Sequence, residues 1–317
     1  MTTILTNNVI KFSHVTSSDT PKGKAANFFA AKAAELTKGK VKVEVYPNST
    51  LYKDKEEIEA LQMGAVQMLA PSLSKFGPLG VKDFELFDLP FIFSNEADLR
   101  KITAGPVGKS ILGKLGQRGI TGLAYWDNGF KVMHANSPIH TPADLRGKKM
   151  RIQSSKVLEE QMRSVGALPQ VMAFSEVYQA LQTGVVDGSE NVSSNVFTQK
   201  HYEVQSHLTV LNHGYIGYAV VTNKNFWDEL PPDIRQQLEV AMEQTTRFAN
   251  QIAKIEIDNA LAAIKKSGRT NVYAPTNEER LAFKKAMVSV HQKMEGRIGK
   301  EVIQATYKEI GFKPDSL

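Results

Sequence analysis

An internal repeat constrains the fold of this chain more than any other feature. The segment ALQMGAVQ at 60–67 returns as ALQTGVVD at 180–187, with Ala, Leu, Gln, Gly and Val in register at an offset of 120 residues. In each copy a helical pattern ends at a glycine, and a short apolar run typical of a buried strand follows. The repeat indicates two similar lobes. The alternative is a chance match, because helix–glycine–strand units are common.

The first 70 residues alternate strand and helix patterns. Strand patterns at Val9–Phe12, 41–46 and 65–70 are separated by helical patterns that end near Gly39 and at Gly64. Alternation of this kind is typical of α/β proteins, whose sheets are largely parallel. The sequence therefore predicts an α/β fold.

The segment 231–268 predicts one unusually long helix. It has Pro at its start and Gly at its end, with neither residue between them, and its apolar residues keep roughly helical spacing. At 1.5 Å per residue such a helix extends about 50 Å, which exceeds the width of a small domain. Because 317 residues also exceed the size at which one core usually keeps growing, we expect this helix to cross two lobes.

Composition and motifs exclude several classes of function. The chain has no cysteine, which excludes thiol catalysis, thiolate metal sites and disulfides, and we expect no cofactor. Its net charge of +6 is spread along the chain, unlike the clustered charge of a nucleic-acid-binding protein. No apolar run approaches the roughly 18 residues of a membrane helix, so we expect a chain that does not span the membrane. The start, Met1–Asn8, lacks a signal peptide, as in a processed exported protein, although a cytosolic chain could begin in the same way.

Sequence motifs for catalysis are missing. GPVGKS at 105–110 resembles a phosphate loop, but Thr103 stands where the first glycine is required, so we expect a helix that begins at Pro106. Asp127 and Glu190 remain a possible acid and base. An enzyme that acts on a small carboxylate is therefore kept as the alternative function.

Arg151 lies in a strand-like run, KMRIQSS at 149–155, that ends in hydroxyl side chains. A guanidinium in a buried strand costs desolvation free energy unless an anion meets it. A ligand could supply that anion. The alternatives are an edge strand that lets the side chain reach solvent, or a pair with one of the chain's own carboxylates.

Other polar and aromatic side chains fall at predicted strand ends or in the loops that follow, where α/β sheets bind ligands. With Arg151 they are Trp126, Asn128, Lys131, Ser154, Phe174, Asn191 and Asn195. Arg offers a planar fork for a carboxylate, Lys and Asn add donors, and aromatic walls exclude water. Singly, each has another interpretation, such as a surface cation for Lys131 or a core residue for Phe174. Together they predict a carboxylate-binding site.

Several segments resemble the substrate-binding proteins of TRAP transporters (tripartite ATP-independent periplasmic transporters). They are DNGFKVMHAN, KKMRIQSS, MAFSEVYQALQTGVVDGSEN and HYEVQSHLTVLNHGYIGY, while SHVTSSDTPKGKAA and APSLSKF resemble the subgroup that binds C4-dicarboxylates. The resemblance implies a non-catalytic, two-lobed periplasmic binding protein fold, type II-like, with a long helix spanning both lobes and closure over the ligand. It also implies a periplasmic location and TRAP membrane subunits as partners.

The resemblance also implies roles for individual residues. Arg151 matches the strand Arg that pairs with the substrate carboxylate, and Asn191 and Phe174 match family positions in SEN and AFSEVY. Lys131 stands where sialic-acid binders of the family have an Arg, and Pro71–Ser72 stand where they place an acidic residue, which favours a smaller diacid.

A C4 diacid needs a second set of donors for its second carboxylate. We expect Ser72 and Lys75, with Lys22, to supply them from the first lobe, while Lys131 could instead share the first carboxylate with Arg151.

The implied lobes comprise residues 1–128 plus 217–256 and residues 129–216 plus 257–317. We expect the chain to cross between them in short strands, with hinges near Asn128–Gly129 and Ile216–Gly217.

Overall fold

A computed structural model describes residues 8–316 of the chain. The strands within this range are β1 (Asn8–Ser13), β2 (Val41–Tyr46), β3 (Met68–Leu69), β4 (Ile120–Phe130), β5 (Val132–Ala135), β6 (Lys149–Ile152), β7 (Leu168–Val171), β8 (Gly188–Asn191), β9 (His207–Thr209), β10 (Tyr215–Asn223) and β11 (Asn271–Tyr273). The helices are α1 (Pro21–Leu36), α2 (Glu57–Gln62), α3 (Glu96–Thr103), α4 (Pro106–Gly113), α5 (Lys156–Ser164), α6 (Val177–Gln182), α7 (Ser193–Thr198), α8 (Lys224–Glu229), α9 (Pro232–Ser267), α10 (Asn277–Met287), α11 (Ser289–Lys293), α12 (Glu295–Ile298) and α13 (Lys300–Ile310). None of these helices combines the length and apolar character needed to cross a membrane.

The strands form two separate sheets. The first has the order β2-β1-β3-β10-β4, and the second has the order β11-β9-β5-β8-β6-β7. Within them β1, β2 and β3 run parallel, as do β6, β7 and β8, whereas β10 and β5 run antiparallel to their neighbours. The prediction of largely parallel sheets is therefore only partly right: both sheets are mixed.

The antiparallel strands belong to the segments that cross between the sheets. One residue, Lys131, separates β4 from β5, and β10 brings the chain back to the first sheet. The crossovers are strands, as predicted, but β4 has 11 residues and β10 has 9, so they are long rather than short. The β4–β10 register shifts between Ile216 and Gly217, at one of the predicted hinges.

The long helix is confirmed. α9 runs for 36 residues and ends at Gly268, whose φ of 67° is left-handed and suits a residue without a side chain. It packs against α1 and β4 on the side of the first sheet and against α7 and β11 on the side of the second. The predicted strands at 41–46 and within 149–155 and the predicted helix at Pro106 are also present, whereas the strand expected at 65–70 is reduced to Met68–Leu69.

The lobe boundaries stay a prediction, and the packing of the last helices bears on them. Phe283 and Met287 of α10 belong to the apolar cluster of the second sheet. Val290, Ile298 and Ile303, from α11 to α13, lie instead in a cluster with residues of the first sheet. We therefore propose that residues 289–310 be assigned to the first lobe.

Candidate functional site

A cavity lies between the two sheets, at the carboxyl ends of their parallel strands. From the first sheet's side it is lined by Val15, Thr16, Lys22, Asp54, Glu57, Ser72 and Lys75. From the second sheet's side it is lined by Arg151, Gln153, Phe174, Asn191 and Asn195, and β10 adds Ile216 and Tyr218. Apart from the two β10 residues, the lining residues come from β6, from the last residue of β8 and from segments that follow β1, β2, β3, β6, β7 and β8, which is the edge at which α/β sheets bind ligands.

Arg151 is fixed at this edge by contacts from its own lobe. The residue is 1% exposed, and its Nε and Nη2 atoms donate to the Met172 carbonyl oxygen at 3.1 and 3.0 Å. Its guanidinium carbon lies 5.9 Å from the centre of the Phe174 ring. The guanidinium is thus oriented by a neutral acceptor, which leaves its charge to be balanced by another group.

Asp54 joins the two sides of the cavity. Its Oδ2 atom lies 2.8 Å from Lys75 Nζ on its own side and 3.6 Å from Arg151 Nη2 on the other. Its Oδ1 atom accepts a hydrogen bond from the Phe174 backbone N–H at 2.9 Å. Although burial by itself raises the pKa of Asp54, Lys75 and Arg151 outweigh that effect and lower the pKa below its usual value.

Lys22 and Glu57, one basic and one acidic side chain, form a second pair that faces the cavity. Lys22 Nζ donates to the Ala70 carbonyl oxygen at 3.1 Å and lies 4.0 Å from the centre of the Tyr218 ring. Burial lowers the pKa of Lys22 to about 8 and raises the pKa of Glu57 to about 8. Within residues 8–316, Glu57 Oε2 has no hydrogen-bond partner.

Contacts across the cavity hold its two sides together. The Ser72 hydroxyl donates to the Gln153 side-chain oxygen, and Lys53 pairs with Glu176 at 3.0 Å near the surface. Most lining side chains are less than 10% exposed. A ligand in this cavity would be surrounded by protein.

The structure brings together seven of the eleven residues nominated from the sequence. They are Lys22, Ser72, Lys75, Arg151, Phe174, Asn191 and Asn195. Trp126 lies in the core beside the first sheet, with its Nε1 atom donating to Thr246. Asn128 donates to the Tyr218 hydroxyl at 2.7 Å, which places it behind the cavity wall, and Ser154 follows the lining residue Gln153 without lining the cavity itself.

Lys131 lies in a buried cluster outside the cavity. Its Nζ atom pairs with Glu190 Oε1 at 2.7 Å, and Glu190 Oε2 contacts His213 Nε2 at 2.6 Å and Gln161 Nε2 at 2.9 Å. Burial by itself would raise the pKa of Glu190, but Lys131 and His213 lower it well below its usual value. Glu190 is therefore a structural carboxylate. Asp127, the other candidate acid or base, pairs with Arg100 at 2.9 Å.

Among the lining residues with polar side chains, sequence reasoning missed Asp54, Glu57, Thr16, Gln153 and Tyr218. Two signals in the sequence could have found some of them. The 120-residue offset of the repeat relates Phe174 to position 54, so the nomination of Phe174 also pointed to Asp54. Gln153 lies two residues after Arg151, so an extended chain puts both side chains on the same face.

The chain matches the family model for bacterial extracellular solute-binding proteins, family 7, over residues 12–297. It is 63% identical over 297 residues to the C4-dicarboxylate-binding periplasmic protein DctP of Rhodobacter capsulatus, covering 94% of this chain and 89% of that protein. A TRAP periplasmic solute-binding protein from Sulfurospirillum deleyianum, solved with bound succinate, is 45% identical, with a TM-score of 0.92 over 95% of this chain and 98% of that one. Another from Pseudomonas aeruginosa, solved with bound L-malate, is 41% identical, with a TM-score of 0.88 over 90% of this chain and 99% of that one.

Proposed function

The chain belongs to family 7 of the bacterial extracellular solute-binding proteins and is a TRAP-transporter binding protein, and we propose that it captures a C4-dicarboxylate such as succinate, malate or fumarate. Both the family and the two-lobed α/β fold predicted from the sequence are confirmed. The family model and the relatives named above describe solute-binding proteins of transporters, which gives no support to the alternative of an enzyme.

The observation that carries the proposal is the set of charges enclosed in the cavity. Lys22, Lys75 and Arg151 are cations, while Asp54 and Glu57 are the carboxyl groups that line the same space. Buried charges are costly without countercharges, and this set has more cations than carboxyl groups. With Glu57 protonated, as its raised pKa favours, the three cations and the Asp54 carboxylate leave two positive charges, which a ligand with two carboxylates would balance.

The arrangement gives each ligand carboxylate its own donors. We propose that Arg151 binds one carboxylate through its planar fork, with Asn191 and Asn195 beside it. Lys75 and Ser72, with Lys22, would bind the other carboxylate from the opposite side of the cavity. Phe174 would exclude water from the ligand.

The proposed partners follow from the family. We propose that the protein acts in the periplasm and passes its ligand to the membrane subunits of a TRAP transporter. Closure over the ligand would let those subunits distinguish loaded protein from empty protein.

Mass spectrometry of the ligand that co-purifies with the protein, followed by isothermal titration calorimetry, tests the proposal. We expect succinate, malate and fumarate to bind much more tightly than butyrate, which has the length of succinate but one carboxylate. Binding of a sugar acid in preference to every C4 diacid would contradict the proposed specificity, and turnover of the bound diacid would contradict a role in binding alone.

A further inference from the structure

We propose that Glu57 takes up a proton when the diacid binds, so that the affinity of this protein for its ligand falls as the pH rises above neutrality. This inference rests on the proposed function, because it concerns the same cavity. Glu57 is a carboxyl group in a site for anions, and its protonation state would adjust the charge of the cavity to the charge of the ligand.

The position of Glu57 makes it an unusual group for an anion site. It is the first residue of α2, is 1% exposed and lines the cavity. Among residues 8–316 no donor reaches its Oε2 atom. A buried carboxylate without a donor is costly, whereas a protonated carboxyl group avoids that cost and can itself donate a hydrogen bond to an anion.

Charged groups face Glu57 from three parts of the first lobe. Lys22 comes from α1, Asp54 from the segment before α2, and Lys75 from the segment after β3. Burial raises the pKa of Glu57 to about 8, and Asp54 adds to this shift while Lys22 and Lys75 oppose it. His14, which Lys22 also influences, stays neutral because burial and Lys22 lower its pKa to about 3.

Glu57, rather than Lys22, should lose the first proton of this pair as the pH rises. The ammonium group of Lys22 is held by the Ala70 carbonyl oxygen and by the face of the Tyr218 ring, and both contacts favour the charged form. Glu57 Oε2 has no such stabilising contact within the described residues. Loss of the proton from Glu57 also creates a carboxylate that Lys22 attracts.

The charge of the cavity matches that of a dianionic ligand when Glu57 is protonated. With Glu57 neutral, three cations and the Asp54 carboxylate leave two positive charges for the two carboxylates of the ligand. With Glu57 ionised, one negative charge is left unmatched. The bound dianion therefore raises the pKa of Glu57 further, and binding takes up a proton wherever the free protein has lost it.

The sign of the effect follows from this linkage. Below a pH of about 8, Glu57 is already protonated in the free protein, so ligand binding takes up little more than a fraction of a proton. Above that pH the free protein has lost the proton, so binding must recover it. Affinity should then fall by up to about tenfold per pH unit until the pH reaches the pKa of Glu57 in the complex.

Calorimetry of succinate binding at pH 7 and pH 9, in two buffers with different ionisation enthalpies, counts the protons. Succinate is fully ionised at both values, so the ligand contributes none. We expect the wild-type protein to take up about one proton at pH 9 and much less at pH 7. Glu57→Gln should lose most of this uptake and most of the pH dependence, whereas Glu56→Gln, at the exposed neighbouring position, should behave as wild type.

A second measurement reads Glu57 directly. In protein labelled with carbon-13 at the glutamate carboxyl groups, the signal that disappears in Glu57→Gln should titrate near pH 8 and return to its protonated position when succinate is added at pH 9. A Glu57 signal that stays ionised from pH 7 to pH 9 with and without succinate, or the same proton uptake in Glu57→Gln, would overturn the inference. Failure of the wild type to bind succinate at pH 7 would instead contradict the proposed function.

Discussion

Two buried cations beside the second sheet, Lys131 and Arg151, are balanced in different ways. Lys131 pairs at 2.7 Å with Glu190, which lies on β8 of the same sheet and also contacts His213 and Gln161. Among residues 8–316, the carboxylate that pairs with Arg151 lies 3.6 Å away. That carboxylate, Asp54, comes from the other side of the cavity and already lies 2.8 Å from Lys75.

The difference separates a structural charge from a binding charge. The Lys131 pair lies within one side of the molecule, so it remains when the two sides move apart. The Arg151 pair depends on the approach of the two sides and on a carboxylate shared with Lys75. A buried cation whose nearest countercharge is distant and shared is suited to receive a ligand carboxylate.

Lys131→Met should have the largest effect, and it should be on stability. Removal of one partner from a buried ion pair leaves an uncompensated charge, here Glu190, at a cost of about 3–5 kcal/mol in the free energy of unfolding. Denaturant unfolding measures this loss, and Lys131→Met combined with Glu190→Gln should recover part of it. A loss of succinate affinity in Lys131→Met with unchanged stability would show instead that Lys131 binds the ligand.

Arg151→Ala should mainly weaken the affinity for succinate. Loss of one partner of a desolvated charge pair costs about 2–5 kcal/mol, which corresponds to a roughly 30- to 3,000-fold weaker affinity for succinate. Arg151→Lys should also weaken binding, because an ammonium group cannot form the bidentate contact. Calorimetry would measure both variants against Arg163→Ala, whose side chain is 61% exposed on α5. Unchanged affinity in Arg151→Ala would indicate instead that Arg151 forms an internal charge pair with one of the chain's own carboxylates.

These two cations also show what could and could not be predicted from the sequence. The local sequence pattern predicted Arg151 and Lys131 at strand ends. The prediction was right for Arg151, which lies in β6, and close for Lys131, which lies directly before β5. Whether a carboxylate meets the side chain depends on residues far along the chain, since Glu190 lies 59 residues from Lys131. The antiparallel register of β5 and β8, in which Val132 faces Asn191, brings that carboxylate close, and no local periodicity specifies this register.

Asp54 was missed for a related reason. It lies in the segment before α2, where the helical pattern of 53–64 begins earlier than the helix itself, and its role arises from a contact with Phe174, 120 residues away. The long helix α9 and the α/β alternation were predictable because apolar spacing and end signals act over a few residues. Contacts between the lobes require the complete fold.

Lys75→Ala compares the two ends of the ligand. If Lys75 binds the ligand carboxylate opposite Arg151, its removal should make the binding free energy of succinate less favourable by about 1.5–3 kcal/mol, which is the range for one hydrogen bond to a charged group. Butyrate, which has no second carboxylate, should be affected much less. Calorimetry with both ligands measures the difference, and equal losses for succinate and butyrate would mean that Lys75 does not distinguish them.

Closure should give the smallest signal. The ligand would touch Ser72 and Lys75 on one side and Arg151 and Asn191 on the other, so it must favour the form in which the two sides meet. We expect succinate to reduce a radius of gyration of about 20 Å, the value for a compact chain of this length. Small-angle scattering with and without saturating succinate measures this change, with Arg151→Ala at the same succinate concentration as the control that should stay open.

The crossing strands determine how such a motion could occur. β4 and β10 pair along most of their length, and their register shift between Ile216 and Gly217 leaves a local irregularity where the chain passes from one sheet to the other. At Gly129, on the neighbouring strand, an added Cβ atom would lie 2.4 Å from Ile257 Cδ1 of α9. Gly129→Ala should therefore disturb the contact between the crossover and the long helix, and change the small-angle scattering of the protein. An unchanged radius of gyration in the wild type at saturating succinate, with binding confirmed by calorimetry, would mean that the two sides do not close over the ligand.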